Sequence, residues 1–193
     1  MKNDWLKAEE VLKNGGLVVL PTDTLYGLVA NVYEKKAIDK IYRIKERNLK
    51  SPLIVLISSL NDLKNFGIKI DKNKAKFLEK IWPGQVSVLL PCKNSRFEYI
   101  HRSTKEIAFR MIGDKNKDLF NLIKKVGPIV APSANKESFI PAETIKEAKG
   151  YFGDDVDLYI NGGRKTGAPS TLVRIEGDNI EILRQGKVKI DIN

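Results

Sequence analysis

Short apolar runs alternate with amphipathic stretches along this chain, and each pattern predicts a different element. Trp5, Ala8, Val11 and Leu12 share one helical face behind a cap at Asn3 or Asp4, with Gly15 at the end. Residues 17–20 (LVVL) and 53–57 (LIVLI) are continuously apolar, as strands covered on both faces are. Between them Ala37, Ile38, Ile41 and Ile44 recur at helical spacing, which predicts a helix from Glu34 to about Arg47. A helix around 60–66 follows, then a longer one carrying Ala75, Leu78, Ile81 and Trp82, which Pro83-Gly84 stops.

The second half repeats the alternation. Residues 86–90 and 107–111 read as strands, and Leu119, Phe120, Leu122, Ile123 and Val126 mark a helix. A short strand at 129–131, a helix around 144–149 and strands near 156–160, 171–175 and 180–183 complete the series. This order predicts an α/β fold with a twisted, largely buried sheet, and the closely spaced final strands make it mixed. No repeat, low-complexity tract or linker interrupts it, so residues 1–193 read as a single domain.

Composition narrows the class. With 42% hydrophobic residues the chain can build one sizeable core, yet no apolar run approaches the roughly 20 residues of a membrane span. The opening MKNDWLKAEE has acidic residues and no apolar segment of the secretory kind. Cys92 is the single cysteine, which excludes an internal disulfide and a thiolate zinc cluster. A cytoplasmic protein without membrane contact is the expectation. The net charge of +10, from 34 Lys and Arg against 24 Asp and Glu, suits polyanions such as nucleotides or RNA. Many lysines, among them Lys35, Lys36, Lys40, Lys124 and Lys125, sit singly on helix surfaces as solvated charge, so charge alone decides nothing.

Polar residues cluster where strands end, the usual ligand position of open α/β sheets. Residues 21–27 (PTDTLYG) either orient a small polar substrate or form a turn whose Thr and Asp bond their own backbone. Lys45-Glu46-Arg47 either complements a helix dipole or clamps phosphate with a compact charge and a planar fork. In 131–135 (APSAN), small residues admit an anion to the backbone while Ser133 and Asn135 add directional hydrogen bonds. Asn161-Gly162-Gly163, Pro169-Ser170-Thr171 and Arg184-Gln185-Gly186 follow, and none of these is a Walker loop or a dinucleotide fingerprint. His101, in a polar segment read as a loop, is taken as a surface histidine, Cys92 as an inert thiol, and Asp154, Asp155 and Asp157 as a solvated turn.

The ordered set PTDTLYGL, KER, WPG, FRM, APSAN, PSTLV and LRQG, between Gly15 and Gly186, resembles the YrdC/Sua5 family of threonylcarbamoyl-AMP synthases in its short, single-domain form. The resemblance implies a twisted, mixed sheet flanked by helices around a basic concave cleft. It implies a nucleotidyltransferase that joins L-threonine, bicarbonate or CO2 and ATP, with Mg2+ on the triphosphate, into threonylcarbamoyl-adenylate and pyrophosphate for tRNA modification. By position, Thr24, Arg110, Ser133 and Ser170 correspond to threonine contacts, with Arg110 on the carboxylate. Lys45, Arg47, Ser51, Ala131, Asn135 and Arg184 correspond to nucleotide contacts, and Lys45, Arg47, Ser133 and Asn135 form the catalytic signature. No protein-bound metal is implied. Partners would be tRNA or double-stranded RNA and the transferases that finish the modification.

The chain departs from the family pattern beside these signatures. Asn48 replaces a Pro, Ser51 an Asn, Leu56 a frequent His and Phe139 a Gly, while Gln85-Val86-Ser87 replaces Pro-x-Thr. Two rival readings differ in kind. One is a non-catalytic RNA-binding or ribosome-maturation module using the same cleft, which would not require intact KER and SAN. The other is the carbamoyl transfer of multidomain hydrogenase-maturation proteins, against which the lack of acylphosphatase-like and zinc-finger segments counts.

Overall fold

The computed structural model describes residues 2–176 and 179–190. Helix α1 (Lys2–Lys13) leads into β1 (Val18–Pro21), β2 (Tyr26–Asn31), α2 (Lys35–Ile44) and β3 (Ile54–Ile57). After a 3-10 segment at Leu60–Phe66 come α3 (Lys72–Ile81), β4 (Val86–Pro91), α4 (Glu98–His101) and β5 (Glu106–Met111). Then follow α5 (Lys117–Val126), β6 (Ile129–Val130), α6 (Ile145–Phe152), β7 (Leu158–Tyr159), β8 (Thr171–Glu176) and β9 (Asn179–Arg184).

The strands form one mixed sheet in the order β7-β1-β2-β6-β3-β5-β4-β8-β9. β1 with β7, β3 with β5 and β4 with β8 are parallel; the other neighbours are antiparallel. Successive residues on a strand face opposite ways, and the core divides accordingly. Val19, Leu28, Val55 and Phe109 join one buried cluster with Ile38 and Ile41 of α2, Leu78 of α3 and Phe152 of α6. Val18, Leu20, Val29 and Leu56 join the other, with Ala8 and Leu12 of α1 and Leu119 and Leu122 of α5. Coverage of both faces explains the near-continuous apolar runs. On the α1/α5 side the strands turn polar toward β5 and β4, where Arg110 and Ser87 replace aliphatic side chains yet stay buried. That polar patch of a buried sheet marks the site.

The predicted mixed α/β fold holds, with corrections. The β2 strand was missed, because YGLVAN follows the polar turn without a break; it converts the expected loop into a β1–β2 hairpin. Helix α1 begins at Lys2, ahead of both proposed caps, and α2 stops at Ile44 rather than Arg47. Residues 60–66 coil as a 3-10 helix, and β7 keeps two residues of the expected five. His101 is no surface residue: it ends α4, 2% exposed, with both ring nitrogens lacking a hydrogen-bond partner. Asp157 is more than a solvated turn, since its carboxylate accepts the Leu17 N–H at 2.7 Å and fixes the start of β1. Cys92 is buried, which raises its thiol pKa, as expected of an inert thiol.

Candidate functional site

Four chain segments converge on a small cavity of about 70 Å³ at the polar face of the sheet. The β1–β2 turn supplies Thr22 and Thr24, β5 supplies Arg110, the stretch after β6 supplies Ala131 and Ser133, and the β8–β9 end supplies Ser170 and Arg184. A larger hollow of about 370 Å³ is lined by residues of α1 and α5 alone, such as Trp5, Leu6 and Lys124, and by none of the motif residues.

Within the turn, Thr22 donates to the Leu25 carbonyl at 2.7 Å and accepts the Thr24 N–H at 3.2 Å. Thr22 and Thr24 both line the cavity, and Thr22 also fastens the turn backbone, as the turn reading expected. Asp23 turns the other way, and its carboxylate lies 3.0 Å from the Arg110 guanidinium. Burial lowers the Arg110 pKa and Asp23 raises it. Arg184 is also lowered, first by burial and then by the positive charge of Arg110. Two guanidiniums thus face the same space, the electrostatic condition for an anion site.

The loop after β6 is held from three sides. The Leu28 N–H donates to the Pro132 carbonyl at 2.9 Å, and the Ala134 N–H to the Tyr26 carbonyl at 2.8 Å. From below, Lys45 Nζ donates to the Ser133 carbonyl at 2.6 Å and to the Asn135 carbonyl. Lys45 is 1% exposed, and burial, followed by repulsion from Arg47, lowers its pKa to about 7. Asn135 donates to the carbonyls of Lys136 and Phe139 at 2.7 and 2.9 Å, while its own Oδ1 is buried without a partner. A buried acceptor in that state is unusual in a folded protein.

Helix α2 unwinds between Lys45 and Arg47, neither of which lines the cavity. The Arg47 N–H returns to the Tyr42 carbonyl at 3.0 Å and the Glu46 N–H to the Arg43 carbonyl at 3.1 Å, the pair of bonds of a Schellman turn. Glu46 takes the left-handed position, φ 52°, usually given to glycine. Beyond it, Arg47 lies along the loop and donates to the Pro52 carbonyl at 3.1 Å. Ser51 belongs to that same loop, with its carbonyl bound by the Tyr42 hydroxyl at 2.9 Å. Leu56, the position of a frequent family His, is fully buried on the α1/α5 side.

Ser170 is buried between Ser87, whose hydroxyl lies 2.9 Å from its own, and Arg184, which donates to its carbonyl at 2.9 Å. Gly186 permits this closeness: a Cβ there would lie 2.3 Å from the Pro169 carbonyl oxygen. Asp23 and Tyr26 belong to the segment whose hydroxyls and carboxylate the sequence offered for a substrate, but their partners, and Ser87 altogether, were missed. Asp23 pairs with Arg110, Ser87 pairs with Ser170, and the Tyr26 hydroxyl ties down residues 162 and 163 by accepting the Gly162 N–H and donating to the Gly163 carbonyl.

A family model of the Sua5, YciO and YrdC proteins, described as Telomere recombination, matches residues 10–186. The chain is 29% identical over 188 residues to a putative threonylcarbamoyl-AMP synthase of Methanocaldococcus jannaschii, covering 97% of this chain and 86% of that one. It is 31% identical over 187 residues to the threonylcarbamoyl-AMP synthase of Bacillus subtilis, covering 94% of this chain and about half, 53%, of the relative. Among solved structures, P. abyssi Sua5 complexed with L-threonine superposes with a TM-score of 0.86 at 28% identity, over 94% of this chain and 54% of that one. E. coli YciO, at 23% identity and a TM-score of 0.84, shares the fold over 96% of this chain.

Proposed function

This chain belongs to the Sua5/YciO/YrdC family, and we propose that it is a threonylcarbamoyl-AMP synthase, forming threonylcarbamoyl-adenylate and pyrophosphate from L-threonine, bicarbonate or CO2 and ATP. One observation carries the assignment of roles: the guanidiniums of Arg110 and Arg184 converge on a cavity of about 70 Å³, next to a loop that Lys45 holds from beneath. That volume is far below the roughly 300–1,000 Å³ of ordinary ligand clefts, so it admits a small ligand and not a nucleotide. The nucleotide lies along Ala131, Asn135 and the loop of Arg47 and Ser51 instead.

The threonine amine combines with CO2 to give a carbamate, and a carbamate oxygen then displaces pyrophosphate from the α-phosphorus of ATP. The nucleophile comes with the substrate, so the protein supplies alignment, worth up to roughly 7–11 kcal/mol for ideally oriented partners. Arg110 holds the threonine carboxylate, and Thr24, Ser133 and Ser170 orient the amine, hydroxyl or carbamate. Arg47 meets charge gathering on the phosphates, while Arg184 faces the amino-acid cavity beside Arg110. Lys45 adds a positive charge one layer below and keeps Ser133 and Asn135 in place. Asn135 Oδ1, buried and unpartnered, accepts from the nucleotide. Mg2+ arrives on the triphosphate as part of the substrate and supplies charge neutralisation there.

The product feeds tRNA modification in the cytoplasm by transferases that move the threonylcarbamoyl group onto the nucleic acid, and the excess of basic residues favours tRNA contact. No helix of the described residues is long and apolar enough to cross a membrane. Incubation with ATP, bicarbonate and radiolabelled L-threonine tests the proposal. A labelled, adenylate-containing product is expected; label that stays in free threonine contradicts it.

A further inference from the structure

The charge of the small cavity is not set by its lining alone. Arg110 and Arg184 line it, while the carboxylate nearest Arg110 belongs to Asp23, which does not. Asp23 touches the guanidinium at one point, Oδ1 to Nη2 at 3.0 Å, with both side chains about 5% exposed or less. Neither Arg110 Nε nor Asp23 Oδ1, although buried, makes a hydrogen bond, so the contact is an ion pair alone. A pair built for stability alone would form the bidentate fork, in which two parallel N–H groups meet two oxygens. The Asp23 backbone is fixed at this position: Gln85 donates to its carbonyl, and the Thr22 hydroxyl bonds Leu25 and Thr24 across the turn. Arg184, by contrast, donates to Ser170 oxygens, which leave its charge uncancelled.

We infer that Asp23 sets the charge specificity of this pocket: by cancelling one of two guanidinium charges from behind, it leaves a site that accepts a single carboxylate and rejects dianions such as inorganic phosphate. Two convergent guanidiniums without a carboxylate form a good phosphate site. A pocket beside ATP would then be blocked by phosphate. With Asp23 ionised, a dianion brings a second negative charge into a buried space where only one is balanced, which costs several-fold more than in water. Naming the natural ligand as an amino acid rests on the function proposed above; the charge argument does not.

Calorimetric titration of inorganic phosphate, and separately of acetate, into the wild type, Asp23→Asn and Asp23→Glu tests this without ATP or threonine present. Asp23→Asn should bind phosphate at least tenfold more tightly than the wild type, Asp23→Glu should not, and the gain should vanish in Asp23→Asn/Arg110→Met. Equal phosphate affinity in wild type and Asp23→Asn, or a gain that survives Arg110→Met, overturns the inference. Should the Asn variant fail to fold, the wild type still decides: acetate must bind it more tightly than phosphate does, and the reverse order overturns the inference. Failure of L-threonine to bind while the phosphate pattern holds would strike the proposed function and leave this inference standing.

Discussion

Replacing Lys45 with Met keeps most of the apolar stem and removes the ammonium that fastens residues 133 and 135. Two opposing effects decide the result. The carbonyls of Ser133 and Asn135 each lose a donor, and a buried acceptor left unpaired costs about 1–3 kcal/mol. In the other direction, the fall of the Lys45 pKa from 10.5 to about 7 corresponds to a penalty of about 5 kcal/mol on the buried ammonium relative to the amine. Met escapes that penalty. A lysine depressed in the folded state contributes stability that is complete above the unfolded value of 10.5 and is lost as pH falls toward about 7. The wild type should therefore gain on the Met variant as pH rises through that window, by at most about 1.4 kcal/mol per pH unit. Urea unfolding of both proteins at pH 6, 7.5 and 9 measures the gap, and their difference cancels the other titrating groups. About 2 kcal/mol of the penalty still weighs on the wild type at pH 9 and nearly all of it at pH 6, so the gap should shift in favour of the wild type by about 3 kcal/mol between pH 6 and pH 9. Parallel stability–pH curves would refute the buried clasp.

Arg47→Ala should retain its melting temperature within a few degrees and lose roughly a hundred- to thousandfold in turnover, about 2.7–4 kcal/mol for one donor to the reacting centre; near-normal turnover in a folded variant removes Arg47 from the site. Arg110→Lys should raise the KM for L-threonine while ATP affinity changes little, because Lys cannot form the planar fork; separate titrations decide, and loss of ATP affinity alone would move Arg110 to the phosphate side. Tyr26→Phe should lower stability by about 1–3 kcal/mol, since the Gly162 N–H and Gly163 carbonyl lose their shared partner; an unchanged unfolding midpoint would show that the segment after β7 is anchored elsewhere.

Periodicity located most elements because burial on both faces leaves each strand an unbroken apolar run. The same rule hid β2, whose apolar stretch begins inside a polar motif and contains Gly27. It misplaced His101 as well: Glu98 and Arg102–Lys105 give that stretch a polar look, while Ile100 and His101 turn inward on a single helical turn. Apolar spacing carried α2 to about Arg47, but the helix stops at Ile44, and the residue that takes the left-handed turn is Glu46, which has no glycine-like signature. Thr24, Arg110, Ala131, Ser133, Ser170 and Arg184 share one cavity lining, as their positions at strand ends suggested, whereas Lys45, Arg47, Ser51 and Asn135 lie outside it. The Asp23–Arg110 pair was not legible, because 87 positions separate the partners and only the sheet register brings them together.

Pyrophosphate release, followed with ATP, L-threonine and bicarbonate present together and with each omitted in turn, tests the central claim most directly. The account predicts release only in the complete mixture, with turnover that falls in Arg47→Ala and Arg110→Lys. Equal release in the absence of threonine would mean plain ATP hydrolysis or a different adenylation, and would contradict the account.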